Sequence, residues 1–141
     1  MQKVAELDGV TYIDDSKATN LAALCAALRM CRGRVHLIAG GRAKESDLSF
    51  AKDLLVQQVS RLYLIGEASE AMQAAWAGSV ECLPCETLER AVSVAWESAE
   101  PGDTVLLSPA CTSFDQFRSF CERGEVFARE VGRLKRECVD A

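Results

Sequence analysis

The chain has 141 residues, 49% of them hydrophobic and 26% charged, and a net charge of −5. A chain of that length buries about 68–70% of the surface it exposes when unfolded, so one domain with a full core is expected without structural metals or disulfides. The acidic balance and lack of a basic run exclude a nucleic-acid partner, no apolar stretch approaches the ~20 residues that span a bilayer, and residues 1–6 open no secretory segment; a cytoplasmic protein with no membrane partner is expected.

In chain order, apolar runs at 4–7 and 10–13 flank Asp8-Gly9, the strongest local signal for a two-residue hairpin. From there the pattern predicts helix 21–31, strand 35–39, helix 48–59, strand 62–65, helix 69–76, strand 80–83, helix 87–99, strand 104–107 and helix 114–134. The strands are short continuous runs of Val, Ile and Leu, as parallel strands buried on both faces are. The expected fold is a three-layer α/β/α Rossmann-like domain with a six-stranded, mostly parallel sheet whose first strand is antiparallel. Gly33 stands where a left-handed residue closes the first helix. In the last helix Phe117, Phe120, Cys121, Phe127, Val131 and Leu134 share one apolar face. Gly124 within it costs about 1 kcal/mol relative to alanine, and a close approach to another backbone is the expected reason.

Seven cysteines, an odd number without regular spacing, read as reduced thiols. Cys82 and Cys85 have redox or zinc-knuckle spacing, but a second ligand pair is missing and the one histidine, His36, lies inside an apolar run, so no metal site is expected. His36 is placed in the core or at a sheet end, roughly 10 Å of strand before the edge where Cys111 falls, which removes a Cys-His dyad. Trp76 and Trp96 face apolar helix neighbours and read as core.

In open α/β sheets ligands sit outside the carboxyl ends of the strands. Three of the loops there are polar: Asp14-Asp15-Ser16-Lys17-Ala18-Thr19-Asn20, where Thr19 or Asn20 can cap a helix, Gly40-Gly41-Arg42-Ala43-Lys44, and Ser108-Pro109-Ala110-Cys111-Thr112-Ser113. Two lysines, a glycine turn and two hydroxyl-rich helix starts can receive a carboxylate or phosphate. The loops at 66–68 and 84–86 look plain. A P-loop, a G-x-G-x-x-G fingerprint and a G-x-S-x-G elbow are all missing from the chain, which excludes triphosphate cradling in the P-loop manner and weakens dinucleotide and hydrolase readings.

Asp15-Ser16-Lys17-Ala18-Thr19-Asn20, Gly40-Gly41 with Lys44, Leu107-Ser108-Pro109-Ala110-Cys111, Ser113-Phe114-Asp115-Gln116-Phe117 and Arg123-Gly124 with Phe127 resemble the C-terminal domain of the Mur ligases, in particular the branch that adds D-glutamate. The resemblance runs from Leu7-Asp8-Gly9 to about Leu134. It implies the third domain of a three-domain peptidoglycan-precursor ligase whose partners are the central P-loop domain, ATP with Mg²⁺ held mainly by that central domain, D-glutamate and UDP-N-acetylmuramoyl-L-alanine. It further implies that catalytic Lys17 meets the transferred phosphate and the D-glutamate, that Asp15 faces the ATP side with Lys17, that Thr19, Lys44, Ser113 and Phe114 hold the D-glutamate carboxylates, and that Phe120 lines their pocket. The turn departs from the family, which usually has Asp and Gly in place of Arg42 and Ala43. The alternatives are a free-standing small-ligand or phosphate-binding module, and a redox domain that would need a depressed thiol pKa at Cys82 or Cys85.

Overall fold

A computed structural model describes residues 1–43, 45 and 47–136 in full and the backbone of 137–140. Strands β1 (Gln2–Leu7) and β2 (Val10–Asp14) form the hairpin, with Asp8 and Gly9 both at positive φ in the turn. Then follow α1 (Leu21–Met30), β3 (Val35–Gly40), a 3₁₀ turn (Ser49–Ala51), α2 (Lys52–Gln58), β4 (Val59–Ile65), α3 (Ser69–Trp76), β5 (Cys82–Glu86), α4 (Leu88–Ser98), β6 (Thr104–Leu107) and α5 (Phe120–Asp140). The sheet order is β1-β2-β6-β3-β4-β5. Among the six described strands the β1–β2 pairing is antiparallel and the other pairings are parallel.

The period-2 alternation of the strands divides the interior into two cores. Val35, Leu37, Ala39, Leu62, Leu64 and Leu106 face α1, α2 and α3. Ile38, Tyr63, Ile65, Val105 and Leu107 face α4 and α5. Because successive side chains of a strand point to opposite faces, strands apolar at every position require a helical layer on each side. Every residue of β3 is buried. The expected three-layer architecture is therefore the observed one.

Several boundaries differ from expectation. Cys31 is extended and closes α1 with its N–H on the Leu28 carbonyl, so Gly33, at φ +74, belongs to the turn into β3 and not to the helix cap. The stretch expected as one helix at 48–59 tightens to a 3₁₀ turn first, and β4 starts at Val59. Strand β5 runs later than expected and contains Pro84, which an edge strand tolerates because one row of its backbone groups has no ladder partner. Trp76 is fully buried, with Nε1 donating to the Leu48 carbonyl (2.8 Å), and Trp96 packs partly buried on the second core. His36 is held at the amino end of β3 by the Tyr63 hydroxyl and Asp103 Oδ2, both at 2.9 Å, far along the strand from Cys111.

The largest departure is α5, which begins at Phe120 and not at Phe114. Phe117 N–H returns to the Ser113 carbonyl (2.8 Å), making a single closed turn before the helix. In the helix proper Val126, Phe127, Val131 and Leu134 are buried, whereas Phe120 and Cys121 are exposed. No helix among the described residues is long and apolar enough to cross a membrane.

Candidate functional site

Strands β2, β6 and β3 are neighbours and parallel, so the loops that follow them meet at one edge of the sheet. After β2, Asp14 Oδ1 accepts the Ser16 N–H (2.8 Å), an Asx turn that reverses the chain. Ala18 N–H closes on the Asp15 carbonyl (2.9 Å), and Asn20 Oδ1 caps α1 through the Ala23 N–H (2.8 Å). Asp15 is fastened to the β6 side twice: its N–H donates to the Leu107 carbonyl (2.7 Å) and Ser108 Oγ donates to its Oδ2 (3.1 Å). After β3, Arg42 and Thr112 exchange both backbone hydrogen bonds at 3.0 and 2.9 Å. Gly41, at φ +127, makes that crossing possible, since a Cβ there would collide with the Thr112 carbonyl oxygen.

Arg123 sits where these loops converge, and its side chain is fully buried. Nε donates to Ser16 Oγ (2.9 Å), Nη2 to the Ser16 carbonyl (2.6 Å) and Nη1 to the Cys111 carbonyl (3.1 Å). Ser16 Oγ in turn donates to the Phe120 carbonyl (2.7 Å). All three acceptors of the guanidinium are uncharged. Burial pulls its pKa down to about 10, against the opposing pull of Cys111, Asp115 and Asp14, so it keeps its charge at neutral pH. The same burial pushes the Cys111 thiol up to about 12.

Among the expected site residues, Asp15, Lys17 and Phe120 line one cleft of about 410 Å³, whose wall also includes Asp14 and Gly124. Lys17 is exposed and Asp15 half-buried. Thr19 is half-buried immediately before the α1 cap. Lys44 lies outside the described residues. Ser113 is buried and Phe114 is 62% exposed, and neither stands at a helix N-terminus as expected. The reason is tertiary: Asp115 Oδ2 accepts the Glu67 N–H (3.0 Å) and Gln116 Nε2 donates to the Glu86 carbonyl (2.8 Å), which draws 113–116 across to the neighbouring loops. The loops after β4 and β5 are therefore not plain. Arg42 adds an exposed ion pair to Glu67 at 3.3 Å.

The linking role of Arg123 has one overlooked signal in the sequence. Counting back from Leu134, Val131 and Phe127 at helical spacing reaches Arg123 and then Phe120, and a charge on the buried stripe of an amphipathic helix must find polar partners inside. Gly124 is explained differently from the expectation: a Cβ there would stand 2.6 Å from Asp14 Oδ2, so the close approach is to a side-chain carboxylate and not to a backbone.

Burial raises both the Cys82 and the Cys85 thiol, opposite to what a redox pair needs. With a thiol reagent at pH 7.5, exposed Cys121 is expected to react well before Cys25, Cys31, Cys85 and Cys111, which are buried. Mass-spectrometric mapping of the modified sites checks this, and early labelling of Cys85 overturns it.

Two solved structures share the fold. A domain from Haemophilus ducreyi, described as belonging to a UDP-N-acetylmuramate:L-alanyl-γ-D-glutamyl-diaminopimelate ligase, superposes with TM-score 0.60 at 14% identity, covering 91% of this chain and 96% of that one. FolC of E. coli, solved with ADP, superposes with TM-score 0.56 at 22% identity over 96% of this chain and 31% of FolC. At these identities the two superpositions establish a shared fold. The profile of the family described as "Mur ligase, glutamate ligase domain" matches residues 1–111, and the chain belongs to that family. Curated relatives named UDP-N-acetylmuramoylalanine–D-glutamate ligase include those of Syntrophotalea carbinolica, 47% identical over 96% of this chain, and Chlorobium phaeobacteroides, 48% identical over 94% of it. The chain spans 30% and 28% of the length of these two relatives.

Proposed function

We propose that this chain is the amino-acid-binding part of a ligase that joins D-glutamate to UDP-N-acetylmuramoyl-L-alanine at the expense of ATP. The L-alanyl carboxylate takes the terminal phosphoryl group of ATP and ADP leaves. The D-glutamate amine then attacks the acyl carbon, phosphate leaves, and the nitrogen gives up a proton as the amide forms. The observation that carries this reading is the exposed Lys17 on a turn clamped from three sides, sharing one cleft with Asp15 and Phe120. A cation held there can meet the transferred phosphate and the incoming dicarboxylate, whose negative charges need compensation more than they need a general base.

In this reading Lys17 faces both phosphate and D-glutamate, and Asp15 lies toward ATP. Thr19, Lys44, Ser113 and Phe114 hold the two carboxylates, with Phe120 as the pocket wall. Mg²⁺ would accompany ATP on the central P-loop domain; among the described residues no three His, Cys, Asp or Glu side chains group as a metal site. The reading puts the reaction in the cytoplasm, where ATP and nucleotide-linked precursors meet.

The test is D-glutamate-dependent phosphate release by the full-length ligase carrying this domain. Lys44→Ala is expected to raise KM for D-glutamate at least tenfold with little change in KM for ATP, because a lost charge-assisted contact costs about 1.5–3 kcal/mol. Aspartate, one methylene shorter, should be a poor substrate. Equal loss for both substrates, or efficient use of aspartate, overturns the assignment of Lys44. The 141-residue chain alone is expected to release no phosphate.

A further inference from the structure

We propose that Gly124 is a positioning residue for Lys17 and acts through the Asp14 carboxylate. The inference rests on the reading of Lys17 given above. Gly124 lies in the interior of α5, where alanine is the better helix former, and its φ is not positive, so the backbone conformation does not call for glycine. Space does. A Cβ would stand 2.6 Å from Asp14 Oδ2 and 3.2 Å from Oδ1, and Oδ1 is the atom that accepts the Ser16 N–H at 2.8 Å.

The carboxylate is the part that would have to yield. The backbone of Asp14 is paired on both sides, to Gln2 of β1 and Leu107 of β6, and α5 is anchored by Arg123 on Ser16 and Cys111. A methyl group at 124 would therefore rotate Asp14 away from the Ser16 amide and release the turn whose next residue is Lys17. Because a reacting group misplaced by about 1 Å can lose on the order of 10²-fold in rate, such a shift reads out in catalysis more than in folding. Substrate contacts made by other loops should be spared.

The experiment is a double-mutant cycle in the full-length ligase, with Gly124→Ala, Asp14→Ala and the double variant. Each is expected to lower kcat at least tenfold, with KM for D-glutamate raised no more than in Lys17→Ala, and the double variant should lose no more than either single one, since both act on the same hydrogen bond. In the 141-residue chain, hydrogen exchange at the Ser16 amide should accelerate at least tenfold in all three variants, with the amides of β3 unchanged. Additive losses in the double variant, or unchanged kcat in a folded Gly124→Ala, overturn the proposal. If Gly124→Ala does not fold, the double variant decides, because Asp14→Ala removes the carboxylate that the added methyl would meet: a folded double variant with the kcat of Asp14→Ala supports the proposal, and one that fails to fold or loses a further tenfold overturns it. Lys17→Ala is measured in parallel. Should it leave kcat unchanged, the functional reading has failed, and the Ser16 exchange rates then judge the Gly124–Asp14 coupling by themselves.

Discussion

Lys17→Ala in the full-length ligase is expected to lower kcat by ~10² or more while the domain stays folded. A positive charge beside a phosphoryl group in transfer acts mainly where charge develops, and removal of one preorganised donor of this kind typically costs 10²–10³. The fold should not notice: Lys17 is exposed, and the turn that carries it is held by Asp14, Arg123 and the Phe120 carbonyl. Steady-state kinetics at saturating ATP and D-glutamate, with circular dichroism as the control for folding, measures this. A folded variant with unchanged kcat would reduce the 14–20 loop to the entry of a capped helix.

Arg123→Ala should produce the largest loss of stability of any single substitution at the loop edge. The change strips hydrogen bonds from two buried carbonyls, those of Ser16 and Cys111, at about 1–3 kcal/mol for each orphaned group, and leaves a cavity as well. Against this stands the relief of a buried charge whose cost shows in the lowered pKa. The balance is expected near 3–5 kcal/mol, which for a domain of this size lowers Tm by roughly 10 °C. Arg123→Met keeps most of the volume and should lose less, by the cavity contribution. Thermal unfolding of the 141-residue chain distinguishes the two variants. A Tm within about 2 °C of the parent for Arg123→Ala would mean that the two loops carrying Ser16 and Cys111 hold together without the guanidinium.

The exposed and buried faces of one short stretch, 113–124, show why the site was only partly readable. Its apolar spacing is continuous with that of the helix behind it, so periodicity extends the helix back to 114. The chain instead turns at Ser113 because Asp115 and Gln116 find backbone partners on Glu67 and Glu86, 48 and 30 residues away. Nothing in the local pattern reports those partners. The same holds for Lys17, whose place in a cleft with Phe120 depends on a hydrogen bond between Ser16 and a carbonyl 104 residues further on.

The sequence by itself determined the layered α/β/α fold, the antiparallel opening hairpin, a helix cap at Thr19 or Asn20, of which the structure uses Asn20, and the family through its motifs in three ordered loops. These are properties that neighbouring residues decide among themselves: which face of a strand or helix is apolar, which turn Asp8-Gly9 can adopt, which side chain can reach an amide three residues on. Tertiary structure alone decided where α5 starts, that Arg123 is the buried cation joining two loops, and that Gly124 makes room for Asp14. Those depend on polar groups and a few tenths of an ångström of space brought together across 30 and 48 residues for the start of α5 and more than a hundred for Arg123 and Gly124, and a polar contact at such separation leaves no period in the sequence for a local reading to find.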